Sequence, residues 1–116
     1  MVFLQYPSCS TCKKAKKWLD EKGVFYEDRL IKEDNPSYDE LKIWHERSGL
    51  PLKKFFNTSG QQYRALELKD KLAAMSYEDQ LRLLASDGML VKRPLLVTDT
   101  TVLLGFNADQ WEQELV

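Results

Sequence analysis

Cys9 and Cys12 are the only cysteines in the chain, and two further residues separate them. An apolar, strand-like segment precedes the pair at residues 2–6, and apolar residues at helical spacing follow it at residues 10–22. A strand, a Cys-x-x-Cys motif and a helix in this order are typical of thiol redox sites. Unpaired N–H groups and the helix dipole at a helix start favour a thiolate, whose pKa falls to roughly 3.5–7.5. We therefore predict that Cys9 is a nucleophile and that Cys12, one turn later, resolves its adducts by forming a disulfide.

Two other interpretations of this cysteine pair stay open on the sequence alone. A structural zinc site needs four nitrogen or sulfur ligands, and besides the two cysteines the chain offers only His45. His45 is more simply interpreted as a surface residue. The second alternative is that both cysteines are buried and unreactive, because free cysteine is among the most buried residue types.

The composition is that of an ordinary globular protein. Of the 116 residues, 43% are hydrophobic and 30% are charged, and the net charge is −1. We expect a single domain over residues 1–116, without direct binding to nucleic acid or to a membrane. The chain shows no signal peptide pattern, so we expect a cytoplasmic protein. In a reducing compartment a close cysteine pair suits catalysis or sensing better than a permanent cross-link.

The first part of the chain predicts a βαβ unit. A strand at residues 2–6 ends at Pro7, a helix follows from Ser10 to about Lys22, and a second strand is predicted over residues 24–30. Two strands joined by one helix are expected to be parallel, with a right-handed crossover.

The middle of the chain, residues 37–88, is predicted to be helical. It opens on a capping box, with Ser37 as the N-cap and Glu40 three positions later. Helix-forming segments continue to Gly88 without a change of composition. We therefore interpret residues 37–88 as a helical insertion within the same domain.

The last part returns to strand composition. The segment 89–97 is apolar but interrupted by Arg93-Pro94, so the third strand is expected to begin at Pro94, where a cis bond is possible. A turn at residues 99–100 leads into a fourth strand over residues 101–106. Asn107 then caps a final helix.

Three motifs in this order resemble the ArsC/Spx family, whose members have a thioredoxin fold. The three matching segments are Pro7 to Cys12 (PSCSTC), Tyr63 to Leu66 (YRAL) and Leu90 to Leu95 (LVKRPL). The resemblance covers nearly the whole chain. It implies an α/β fold, with a four-stranded mixed sheet, flanking helices and the helical insertion between the βαβ half and the C-terminal ββα half.

The resemblance also implies roles for individual residues. Cys9 resembles the family's nucleophile, and Arg64 and Arg93 resemble two of the arginines that bind an oxyanion. Such an anion needs cationic donors before it can approach a thiolate. Thr11 belongs to the active-site loop, and Pro94 resembles a proline that is usually cis. Without the resemblance, both arginines could equally form surface ion pairs.

The family offers two functions. The first is a thiol–disulfide oxidoreductase resembling arsenate reductase, with no bound cofactor or metal, that glutathione with glutaredoxin, or thioredoxin, would reset. The second is an Spx-like redox-sensing regulator that binds the C-terminal domain of the RNA polymerase α subunit. Glutathione-dependent arsenate reductases generally carry a third arginine after strand four, whereas no arginine follows Arg93 here. Cys12 suits the intramolecular disulfide of the Spx-type proteins.

Overall fold

A computed structural model of the protein describes residues 1–115. Four strands and six α-helices make up most of this part of the chain. They are β1 Val2–Gln5, α1 Ser10–Glu21, β2 Glu27–Leu30, α2 Tyr38–Ser48, α3 Gln61–Ala65, α4 Leu68–Lys71, α5 Tyr77–Ser86, β3 Leu95–Val97, β4 Val102–Leu104 and α6 Ala108–Leu115. Short 3-10 helices lie at Leu52–Phe55, Leu72–Ala74 and Gly88–Leu90.

The strands form one mixed sheet in the order β2-β1-β3-β4. β1 and β2 are parallel, while β3 is antiparallel to both β1 and β4. This is the α/β arrangement that the sequence predicted, with a parallel βαβ half and a C-terminal hairpin. Because β1 lies inside the sheet, it is paired with a strand on each side. The loop that follows β1 therefore starts from a fixed point.

The second strand is shorter than predicted. It begins at Glu27 rather than at residue 24, since the apolar residues before it do not enter the sheet. Val24 and Tyr26 instead pack against a core cluster beside α1, and Phe25 is 96% exposed. The apolar character that suggested a strand here therefore reflects packing against a helix. The paired residues themselves are mostly polar because β2 is a sheet edge.

The third strand begins at Leu95, one residue after the predicted start at Pro94. Of the segment 89–97, only Leu95–Val97 pairs in the sheet. Gly88–Leu90 forms a 3-10 turn, and Val91 makes an isolated antiparallel bridge with Phe56. The prediction that Arg93-Pro94 divides the segment is confirmed, and their peptide bond is cis.

Two hydrophobic clusters lie on the sheet. The larger joins sheet residues such as Leu4 and Leu95 to α2, α4 and α5, so the segment 37–88 packs on the sheet. The smaller contains Phe3, Leu19 and Trp111 and joins the sheet to α1 and α6. Burial of such side chains contributes roughly 1.5–3 kcal/mol each. The smaller cluster therefore holds α1, and with it the Cys-x-x-Cys motif, against the sheet.

Candidate active site

The loop after β1 places Cys9 at the beginning of α1. The backbone N–H of Cys9 donates to the carbonyl of Tyr6 at 3.0 Å, which closes a tight turn. Cys9 itself is the N-cap of α1, with extended backbone angles of φ −79° and ψ 121°. The turn contains Pro7, which cannot continue the strand. The predicted position of Cys9, just before the first helical turn, is thus the observed one.

The Cys9 sulfur accepts a hydrogen bond where a serine or threonine cap would normally accept one. The backbone N–H of Cys12 donates to Cys9 Sγ at 3.4 Å. Partial burial opposes ionisation, but the Cys12 thiol and backbone N–H, the Thr11 N–H and the Arg93 charge together favour the thiolate. The net result is a pKa of Cys9 below its ordinary value of 9.0. Cys9 therefore has the character of an attacking thiol.

Cys12, unlike Cys9, is buried, and its thiol is held in the protonated form. Its side chain is fully buried on the inner face of α1. Burial, together with the hydrogen bond to Cys9 and the negative charge of that neighbour, raises the pKa of Cys12 to about 12. Cys12 thus keeps its proton while Cys9 is a thiolate. Because Cys12 is free and lies one turn from Cys9, it is in place for a second, intramolecular step.

Arg93 is the cation that acts on both sulfurs. Its guanidinium lies 5.2 Å from the centre of the Tyr6 ring, in a cation–π contact. One Nη donates to the carbonyl of Met89 at 3.4 Å, while the buried Nε finds no partner among residues 1–115. In the same range Arg93 forms no ion pair, so the structural interpretation of this arginine loses its basis.

A cavity of about 340 Å³ opens beside Arg93, and we call it the Arg93 cavity. Its other lining residues are mostly polar and uncharged: Asn57, Ser59, Gly60, Gln61, Gln62 and Met89. Ligand sites usually combine such a concave surface with a few convergent polar groups. An anion in this cavity would meet one guanidinium and several side-chain amides.

The remaining predicted site residues are Arg64, Thr11 and Pro94, and none of them lines the Arg93 cavity. Arg64 is exposed on α3, the helix that contributes Gln61 to the Arg93 cavity, and it too makes no ion pair within residues 1–115. Arg64 does not itself line the cavity. Thr11 is exposed in the first turn of α1. Pro94 is buried, and its carbonyl accepts from the Gly105 N–H at 2.8 Å.

His45 differs from the surface residue that the sequence indicated. It is half-buried, its Nδ1 lies 2.9 Å from the Tyr77 hydroxyl, and its ring packs edge-on against Phe55. Within residues 1–115 no group of three or more His, Cys, Asp or Glu side chains could hold a metal ion. None of the helices in that range combines the length and the apolar composition needed to cross a bilayer.

Sequence reasoning missed several residues of the site. Tyr6, whose ring is in cation–π contact with the Arg93 guanidinium, directly precedes the cysteine loop. That position could have indicated that Tyr6 belongs to the site. Nothing in the sequence around Asn57 and Gln61 indicates that their amide side chains line a cavity. They line the Arg93 cavity because the bridge between Phe56 and Val91 brings the helical insertion beside Arg93.

Comparisons with known proteins find similar sequences and structures over nearly the whole chain. The profile of the ArsC family matches residues 4–114. The uncharacterized protein YusI of Bacillus subtilis is 56% identical over 97% of this chain and 96% of its own length. The crystal structure of a possible arsenate reductase from Streptococcus mutans has a TM-score of 0.90 at 48% identity, covering 98% of this chain and 97% of that one. The regulatory protein MgsR of Bacillus subtilis is 28% identical over 92% of this chain and 83% of its own length.

Proposed function

The chain belongs to the ArsC family, and we propose that it is a thiol–disulfide oxidoreductase with Cys9 as nucleophile. The observation that supports this most is the contrast between its two thiols. Cys9 has a lowered pKa and is partly accessible, whereas Cys12 is buried and has its pKa raised to about 12. One thiol is thereby prepared to attack first, and the other is held back until an adduct exists.

In the first step the Cys9 thiolate attacks one sulfur of a disulfide substrate. A bond forms between Cys9 and that sulfur, and the other sulfur leaves as a thiolate. This removes the negative charge on Cys9 that helps to raise the pKa of Cys12. Cys12 can then lose its proton, attack Cys9 and release the second substrate thiolate. The protein ends as the intramolecular disulfide, and the substrate has gained two electrons.

An arsenate substrate would follow the same order. Cys9 would displace water from arsenic, and Cys12 would attack Cys9, so that the electron pair of the sulfur–arsenic bond goes to arsenic and yields arsenite. Arg93 would bind the anion as it approaches the thiolate, and Arg64 would add a more exposed charge. Either reaction needs an external dithiol or two thiols to reduce the disulfide again. Glutathione with glutaredoxin, or thioredoxin, would supply them.

A turnover assay tests this proposal. Arsenate-dependent and disulfide-dependent NADPH oxidation are followed with glutathione plus glutaredoxin, and separately with thioredoxin. We expect turnover that Cys9→Ser abolishes, and in Cys12→Ser a mixed adduct on Cys9 that mass spectrometry detects. Unchanged turnover in Cys9→Ser would overturn the assignment of the nucleophile. The relay that supports turnover identifies the reductant.

A second candidate function is a redox-sensing regulator that binds the C-terminal domain of the RNA polymerase α subunit. The similarity to MgsR over 92% of the chain favours it, as does the lack of an arginine after Arg93. In this function the disulfide would change the affinity for a partner instead of completing a catalytic cycle. Binding to the isolated domain is measured with the reduced and the oxidised protein. Equal affinity in both states, or no binding in either, would exclude this function.

A further inference from the structure

A second and larger cavity lies on the insertion side of the molecule, and four lysines line it. Its volume is about 730 Å³, which falls in the usual range for sites of small organic ligands. We call it the lysine cleft. The nine residues that line it are Leu50, Lys53, Lys54, Phe56, Thr58, Tyr63, Lys69, Lys92 and Leu104. None of these nine residues is acidic.

The lysines of the cleft lack partners of opposite charge. None of the four forms an ion pair within residues 1–115, although other lysines of the protein, such as Lys16 and Lys22, do. Ammonium groups that share one concave surface repel one another, and a cleft with low-dielectric walls concentrates their field. A multiply charged anion would relieve that repulsion.

The wall of the cleft is not uniformly polar. Leu50 is 41% exposed and Leu104 is partly exposed. The mostly buried rings of Phe56 and Tyr63 also line the cleft, with their centroids 6.3 Å apart. An inorganic ion would leave this apolar wall in contact with water. A ligand that combines several charges with an apolar or aromatic group would cover it.

The lysine cleft and the Arg93 cavity share no lining residue. Both lie beside one short antiparallel ribbon, in which residues 55–57 pair with residues 90–92. The ribbon contains the Phe56–Val91 bridge, and the Lys92 N–H donates to the carbonyl of Phe55 at 2.7 Å. Phe56, Thr58 and Lys92 line the cleft, whereas Asn57, Ser59 and Arg93 line the other cavity. The cleft is therefore a site separate from the Arg93 cavity.

We propose that the lysine cleft binds an organic polyphosphate, with the phosphate groups among the four lysines and the apolar group against Leu50 and Leu104. Phosphates pack several charges into a small volume, and lysine binds them as a flexible point charge. Leu50 and Leu104 supply the contact that distinguishes an organic ligand from the bare anion.

Adenosine triphosphate, inorganic triphosphate and adenosine are the three probes of this proposal. Each is titrated into the reduced protein of 116 residues, and binding is followed by amide chemical shifts and calorimetry. We expect adenosine triphosphate to bind about tenfold more tightly than inorganic triphosphate, and adenosine to bind more weakly than either. Shifts should concentrate at residues 50–58, 63, 69, 92 and 104, and binding should weaken as salt is added.

A matched pair of double variants separates this site from general surface charge. Lys53→Gln with Lys69→Gln should weaken binding of adenosine triphosphate by about tenfold. Lys32→Gln with Lys42→Gln removes the same charge from exposed positions outside the cleft and should leave binding within about twofold. No shifts at millimolar probe, or equal losses in both double variants, would overturn the site. Equal affinity for inorganic and adenosine triphosphate would overturn the role of the apolar wall.

Discussion

Arg29 and Arg93 are both largely withdrawn from solvent, but their surroundings differ sharply. Arg29 forms a two-pronged ion pair with Glu40 at 2.7 and 2.8 Å and donates to the carbonyls of Asp34 and Asn35. Arg93 has one long hydrogen bond to Met89, and its buried Nε lacks a partner among residues 1–115. The Arg29 guanidinium thus donates all of these hydrogen bonds within the fold. The Arg93 guanidinium keeps N–H donors that a ligand could accept.

Under the proposed function, Arg29 stabilises the fold and Arg93 binds the anionic substrate. The Arg29 pair ties the end of β2 to the first turn of α2, where Glu40 also completes the capping box. Burying a guanidinium without an anion costs free energy, and at Arg93 the Tyr6 ring and the Met89 carbonyl offset only part of that cost. A bound anion would offset more of it. We therefore expect substitutions at the two positions to affect different properties of the protein.

The largest effect is expected for Arg93→Gln. This variant loses the charge that binds the anion and favours the Cys9 thiolate, so kcat/KM should fall about 100-fold. Its free energy of unfolding should change by about 0.5 kcal/mol or less, because no ion pair is broken. The relay assay measures kcat/KM, and urea unfolding measures the free energy of unfolding.

Alkylation of Cys9 by the anionic iodoacetate, compared with neutral iodoacetamide, gives a readout of the Arg93 charge that is independent of substrate. An unchanged ratio of the two rates would contradict the role of Arg93.

The converse result is expected for Arg29→Gln. Loss of the two-pronged ion pair should lower the free energy of unfolding by about 2 kcal/mol in urea titrations. Arg29→Lys should restore less than half of this loss, since an ammonium group cannot bind both carboxylate oxygens in the same geometry. Alkylation of Cys9 should stay at the rate of the unsubstituted protein. A large change in that rate would show that the two regions are not separate.

Acid should weaken the Arg29 region of the fold. Hydrogen bonds from Arg29 outweigh burial and lower the pKa of Glu40 from 4.5 to about 2. The stabilisation by Glu40 is therefore complete above pH 4.5 and is lost as the pH falls from 4.5 towards 2. We expect a loss of about 1 kcal/mol, because the Glu40 carboxylate is partly exposed. Urea titrations at several pH values should show this loss in the unsubstituted protein and a smaller slope in Glu40→Gln.

The smallest effect is expected for Arg64→Gln. Arg64 is exposed and does not line the Arg93 cavity, so solvent screens its charge. The rate of Cys9 alkylation by iodoacetate should fall about threefold at low salt and hardly at all at high salt. A loss as large as that in Arg93→Gln would mean that the two arginines act on the anion equally.

Local rules were sufficient to predict much of the fold. The cap at Ser37, the cap at Asn107 and the division of the chain at Arg93-Pro94 all follow from neighbouring residues, and all are present. The position of Cys9 at the start of α1 follows in the same way. The predicted start of β2 was wrong because Val24 and Tyr26 are apolar for packing against the core cluster beside α1, a tertiary cause that a strand pattern does not reveal.

The site could be predicted only in part. Cys9, Cys12 and Arg93 stand in recognisable motifs, but the sequence does not show whether Arg29 or Arg93 is held in an ion pair. Which arginine is paired depends on Glu40, eleven positions from Arg29, which forms the ion pair with it. Arg93 forms no ion pair within residues 1–115, and no acidic residue lines its cavity. The lysine cleft likewise forms only when the ribbon brings Lys92 beside the insertion.

The most direct test of this account is the pKa of the Cys9 thiol. It is measured from the pH dependence of iodoacetamide alkylation, with mass spectrometry to confirm that Cys9 is the residue modified. We predict an apparent pKa below 9.0 in the unsubstituted protein, which rises in Arg93→Gln but not in Arg29→Gln. A pKa at or above 9.0, or one that does not respond to Arg93→Gln, would contradict the proposal that Arg93 and the start of α1 activate Cys9.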